Sequence, residues 1–291
     1  MADWAWKPEG MMFVSLAASL CLAGQTPQMT ELWRLDGLDS PESIIADGAG
    51  GYIVSNINGE ATERNWRGYL ARISADGELV ERHWATSLRA PKGMAIHEGR
   101  LFVSDIDHVV EIELATGTLL SRHYLEGAGF LNDLVVLDGV VLAADSANSR
   151  IYALSDGVVS VWLEDEQLAG VNGLLVEENR LLVTTMSAGD ILAVTGPDRT
   201  ISRLLTGLEN ADGIGAIAGG YLISQWPGRL SYWAENTTRS NDTALIFDEV
   251  EAGIYMNDLL TEGERVLIPH WQPGEVSAWQ VSCGRDASTD H

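Results

Sequence analysis

Basic residues are scarce in this chain: 18 lysines and arginines stand against 42 aspartates and glutamates, a formal net charge of −24 over 291 residues. A surface of that sign repels phosphate backbones, so nucleic acid is a poor partner. It suits a solvated acidic exterior or a protein that attracts cations. Cysteine is nearly missing, with only Cys21 and Cys283, which rules out a cysteine-based metal centre. Several catalytic signatures are missing as well. The chain has no Gly-x-Ser-x-Gly elbow, no Gly-x-x-x-x-Gly-Lys phosphate loop and no His-Glu-x-x-His zinc motif, so a serine nucleophile is not favoured. Long hydrophobic runs are also lacking. The apolar stretch 11–24 (MMFVSLAASLCLAG) is short for a membrane span.

Lys7 precedes that stretch and small side chains end it, the pattern of a secretory signal peptide with cleavage after Ala23 or Gly24. An uncleaved anchor, or a true start at Met11 or Met12, is the alternative, because Asp3 and Glu9 dilute the charge of Lys7. The expected organisation is a signal peptide over 1–24, one domain over 25–282 and a polar tail over 283–291. The mature protein is then periplasmic or secreted, with no membrane association once the leader is gone. Such cleavage removes Cys21 and leaves Cys283 alone, so no internal disulfide is expected. The sequence is silent on oligomeric state.

One unit recurs six times from Pro41 onward, at a period of about forty residues. Each copy opens on a short polar step: Pro41-Glu42-Ser43, Pro91-Lys92-Gly93, Leu131-Asn132-Asp133, Val171-Asn172-Gly173, Ala211-Asp212-Gly213 and Met256-Asn257-Asp258. The central residues are 50, 40, 40, 40 and 45 positions apart. An apolar strand follows each step, then a turn such as Glu98-Gly99 or Asp138-Gly139, then a second strand ending on a polar residue. Those ends are Asn56, Asp105, Asp145, Thr185, Gln225 and His270. Third and fourth strands complete five copies, and the segment 31–35 (ELWRL) can supply the strand missing from the sixth.

Apolar runs of five to seven residues are too short for a helical solenoid of this period, and the Gly-His and Trp-Asp marks of WD40 repeats are absent. The fold class expected is therefore all-β: a six-bladed β-propeller with four strands per blade, closed by an N-terminal strand that completes the last blade. The stretch 57–68 is an insertion in the first copy that overhangs one face.

Inner strands of a propeller line a central channel, so the steps form a ring: Glu42, Lys92, Asn132, Asn172, Asp212, Asn257. Two carboxylates and several carboxamide oxygens about one axis match the irregular oxygen shell that calcium accepts, although another divalent cation is possible. The competing reading is that Asn, Asp and Gly merely initiate turns. The order Glu42, Asn132, Asn172, Asp212 resembles the calcium-ligand order of the senescence marker protein/gluconolactonase family of six-bladed hydrolases, with diisopropyl fluorophosphatase and the paraoxonases as more distant relatives. The resemblance covers nearly the whole mature chain. It implies Glu42, Asn172 and Asp212 as metal ligands and Asn132 as a ligand or a substrate contact, while Asn257 is a further candidate ligand from its place in the ring. Lys92 faces substrate or a carboxylate.

A small-molecule substrate is the expected partner. Asp105, Trp226 and Trp271 join Asn132 and Lys92 as candidate substrate contacts, while Ser104-Asp105 also reads as a turn stabiliser and the tryptophans as packing between blades. Asp212 is the candidate general base and His270 the alternative, since a neutral imidazole can take a proton. The implied activity is opening of a lactone or related ester by a metal-activated water. The alternative is a non-enzymatic propeller that binds a ligand or protein around a structural calcium. Relatives of the strictosidine synthase type use this architecture for other chemistry.

Overall fold

The computed structural model describes Cys21 and residues 26–234 and 243–283. The rest of the expected leader and the tail beyond Cys283 lie outside the described residues. Five four-stranded antiparallel sheets follow one another along the chain. Their inner strands are Pro41–Ala46, Pro91–His97, Leu131–Leu137, Val171–Glu177 and Ala211–Ile217. The sixth sheet has a divided inner strand, Tyr255–Met256 and Leu260–Glu262, beside Arg265–Gln272 and Glu275–Ser282. Strand Gln28–Leu35 pairs antiparallel with Glu275–Ser282, from Gln28 opposite Ser282 to Leu35 opposite Val276. The six-bladed ring is thus closed by its N-terminal strand, as the repeat pattern predicts, and that strand covers the outer side of Glu275–Ser282.

Each blade is covered on both faces, which explains why its strands read as apolar runs rather than alternating ones. Along Tyr52–Asn56, Tyr52 and Val54 pack toward blade 6 with Leu267 and Val276, whereas Ile53 packs toward blade 2 with Met94 and Val103. The same division recurs between every pair of neighbours, so six hydrophobic clusters lie between blades. A one-residue slip in any strand would exchange its two partners, and this pins the register.

In the uncleaved chain Cys21 is bonded to Cys283, with Cα atoms 5.1 Å apart across 262 residues of sequence, a pairing that the expectation of a cleaved leader set aside. The Cys21 amide also donates to Ala218 O at 3.0 Å. Closure of the ring lays the N-terminal strand along the last strand of the chain, so two cysteines far apart in sequence meet beside blades 5 and 6. Among the described residues no helix is long and apolar enough to cross a membrane.

Candidate functional site

The channel ring is built by a repeated irregularity. In five blades the pairing of the inner strand shifts between its first and fourth residues: Pro41/Ile44, Pro91/Met94, Leu131/Leu134, Val171/Leu174 and Ala211/Ile214. A bulge frees the intervening residues from the ladder and re-aims their side chains. A hydroxyl near the end of the second strand satisfies the amide so released: Ser55 accepts from Ser43 N at 3.0 Å, Thr184 from Gly173 N at 2.7 Å and Ser224 from Gly213 N at 2.8 Å. Glycine follows the ring residue where blades crowd. A Cβ on Gly213 would lie 2.3 Å from Asp258 Oδ1 and 2.9 Å from its Cα.

All six ring residues are buried. The structure adds two carboxyls that the central-residue alignment passed over, Asp133 and Asp258, each following an Asn in the Asn-Asp steps of blades 3 and 6. Both tie blades together. Asp133 accepts from Leu134 N and Leu174 N at 2.7 Å each; Asp258 accepts from Leu259 N at 2.7 Å and Ser43 Oγ at 2.8 Å. Their doubled Asn-Asp spelling, three copies apart, was the available signal.

Four carboxyls now press on one another. Burial and the neighbouring acid Asp258 push Asp212 up to about 8, against a hydrogen bond from Asn172. Burial pushes Asp258 up to about 6. Burial and Asp212 raise Glu42 well above the carboxylate range, and burial with Asp258 does the same to Asp133. Glu42 Oε2 is buried without a hydrogen-bond partner. Lys92 supplies the positive charge acting on Glu42, and burial draws its own pKa down to about 8.

The second ring behaves differently. Asn56 Oδ1 accepts from Asp39 N at 3.2 Å, and Gln225 Nε2 donates to Glu209 O at 3.2 Å. Asp105 accepts from Arg89 N at 3.0 Å and Ala90 N at 2.8 Å, and Asp145 from Phe130 N at 3.0 Å and Asn148 Nδ2 at 2.7 Å. Each of these four residues holds the loop that enters its own blade. Thr185 instead closes its own turn onto Asp190, accepting its amide at 3.0 Å. Asp105 thus stands with the loop holders.

His270 is the exception in this ring. Nε2 lies 2.7 Å from Ser277 Oγ, and Nδ1 is buried without a partner. Ser277 Oγ also accepts from the Trp279 indole at 2.8 Å. Burial, then Arg34, lowers the His270 pKa to about 3.

Above the ring, at the end where the polar steps begin, the rim divides into two parts. Trp226 and Trp271 directly follow the strand ends Gln225 and His270, and Tyr255 precedes Met256. Trp226 meets Tyr255 at 5.6 Å and Trp271 at 5.9 Å between ring centroids, both edge to face. Trp271 packs on Ile57, Ala90 and Ile106. Beyond them, Lys92 Nζ donates to Ala90 O at 3.1 Å and to Ala61 O of the insertion at 2.8 Å, and lies 4.5 Å from the Phe130 ring. The insertion therefore reaches over the mouth. Arg64 anchors it to Asp107 at 2.7 Å, and its Trp66 sits between the guanidiniums of Arg89 and Arg122, 4.6 and 5.0 Å from them.

No group of three or more His, Cys, Asp or Glu side chains stands in a metal-holding arrangement among the described residues. Carboxylates alone therefore do not compose a centre, and a cation here would also draw on Asn oxygens. The residues fit a hard cation on two counts: Glu42 Oε2 lacks a partner, and the ring gathers carboxyls whose charge the fold leaves largely uncompensated.

No protein-family model and no curated protein matches the chain. Solved structures are similar. A gluconolactonase from Xanthomonas campestris matches with a TM-score of 0.67 at 15% identity, over 93% of this chain and 94% of its own. A putative gluconolactonase matches at 0.65 and 16% identity, over 91% and 95%. Virginiamycin B lyase from Staphylococcus aureus, in a catalytically inactive form with quinupristin, matches at 0.60 and 14% identity, over 88% and 99%. Likeness at these identities establishes the shared fold, and function has to be argued from the site.

Proposed function

We propose that this chain is a divalent-cation-dependent hydrolase, calcium being the natural occupant, that opens a lactone or related ester at the mouth of the channel. The observation that carries the proposal is the buried, unpartnered Glu42 Oε2 within a ring of mutually repelling carboxyls. Glu42, Asn172 and Asp212 would hold the cation, with Asn132 and Asn257 as further oxygen donors. When bound, calcium supplies Lewis acidity toward a carbonyl oxygen and acidifies a water.

The chain's own groups do the rest. Asp212 takes a proton from water as the water oxygen bonds to the acyl carbon. It returns that proton to the departing ring oxygen as the acyl C–O bond breaks, and the product is a hydroxy acid. Asn132 donates an amide N–H to the substrate. His270, drawn down to about 3 by burial, stays neutral near pH 7 and is a weak base, which speaks against the alternative base role. A purely structural calcium pin accounts less well for an asymmetric ring that leaves its charge uncompensated.

The test is turnover of a panel of aliphatic and sugar lactones with calcium and with a chelator. Cation-dependent release of hydroxy acid is expected. Tight calcium binding without turnover would sink the hydrolase reading, and an unsaturated product of unchanged mass would mean elimination rather than hydrolysis.

A further inference from the structure

The rim above the ring has a chemical character that the hydrolytic proposal does not require. Tyr255, Trp226 and Trp271 make a run of edge-to-face contacts, with rings inclined at 60° and 80° to one another. Ile57, Ala90 and Ile106 continue the run, and Phe130 stands on the far side of Lys92. The result is an apolar arc drawn from blades 5, 6, 1 and 2 and from the loop entering blade 3. Rings set nearly perpendicular present walls and edges rather than the single flat face on which a sugar ring stacks.

The cations beside the arc already have partners. Lys92 spends two N–H bonds on Ala61 O and Ala90 O, and Arg64 and Arg89 are both paired with Asp107. A polyhydroxylated substrate would have to displace these bonds or bury hydroxyls unpaired, and either weakens binding. A hydrocarbon substituent would meet neither obstacle.

We infer that the arc of Tyr255, Trp226, Trp271 and Phe130 receives an alkyl or aryl substituent, making the preferred substrates apolar lactones and esters rather than sugar lactones. This rests on the hydrolytic reading of the channel ring.

The experiment uses the full chain with calcium, a series of γ-lactones whose 5-alkyl chain lengthens one carbon at a time, and glucono-δ-lactone. Burial of each methylene against the arc raises kcat/KM by about threefold to fourfold until the arc is filled. Trp226→Ser and Trp271→Ser flatten that slope, and the slope is the readout, so a general loss of activity does not imitate the effect. A flat wild-type series, or preference for the sugar lactone, overturns the inference while leaving the hydrolase reading intact. If every lactone is inert, 2-alkylcyclopentanones are titrated while tryptophan fluorescence is followed. Affinity that climbs with chain length then retains the arc as an apolar-ligand site and removes the hydrolase reading; affinity indifferent to chain length overturns the arc.

Discussion

Two rings of six polar residues lie one strand apart in this propeller, both buried, and their hydrogen bonding separates them. In the strand-end ring, Asn56, Asp105, Asp145 and Gln225 spend their oxygens or amides on the loops entering their own blades. Carboxylates there are hydrogen-bonded, like buried polar groups in any stable interior. In the channel ring, Glu42 keeps an oxygen without a partner, and Asp212 and Asp258 are pushed up by burial. Groups held at such a disadvantage are where binding or proton transfer is to be sought, because a ligand or proton can relieve what the fold does not. Burial and polarity are common to both rings, so neither property by itself identifies the site.

The largest effect expected from this contrast is on turnover. Asp212→Ala should lower lactone hydrolysis by about a thousandfold or more while the urea midpoint stays at or above that of the parent. An equal loss of stability would erase the distinction between the rings. The reciprocal change is Asp145→Ala, which strands the amides of Gly129, Phe130 and Ala147 and should cost about 4 kcal/mol in urea unfolding, with near-parental kcat in the fraction that remains folded.

Reduction of the Cys21–Cys283 bond touches neither ring. It should cost about 3 kcal/mol, measured as the shift in unfolding midpoint with and without reductant, and leave kcat at 25 °C unchanged. Gly213→Ala forces a methyl group toward Asp258 and should cost about 2 kcal/mol while disturbing calcium affinity, measured by calorimetry. Smallest is a pH effect outside both rings. Burial acts to raise Asp107 and Glu111, but hydrogen bonds and charges together, led by Arg64 for the first and Ser121 for the second, outweigh it and hold both down at about 2. A depressed carboxylate adds stability above its unfolded value near 4 that is lost as pH falls toward 2. Blade 2 should therefore soften first in acid, seen as earlier amide exchange over 100–124 than over 140–164.

The six-fold period, the strand order and the closing N-terminal strand were legible because a propeller repeats one local solution, and a repeated solution leaves a repeated spelling. The channel ring could be aligned for the same reason, since a bulge at the same step of five blades turns the same residue inward. Asp133 and Asp258 escaped because their importance comes from charges supplied by other blades rather than from their own copies. The Cys21–Cys283 pairing of the uncleaved chain escaped on similar grounds: nothing local to residue 21 announces a partner 262 positions away.

Sequence alone therefore determined the architecture and the roster of polar residues at each level of the channel, because alternation, turns and bulges are short-range. Only the tertiary structure decided which of those polar groups are satisfied, which acids repel one another and that aromatic side chains of separate blades join into one arc. Desolvation and Coulomb interactions act through space, between residues that the chain brings together only when the ring closes.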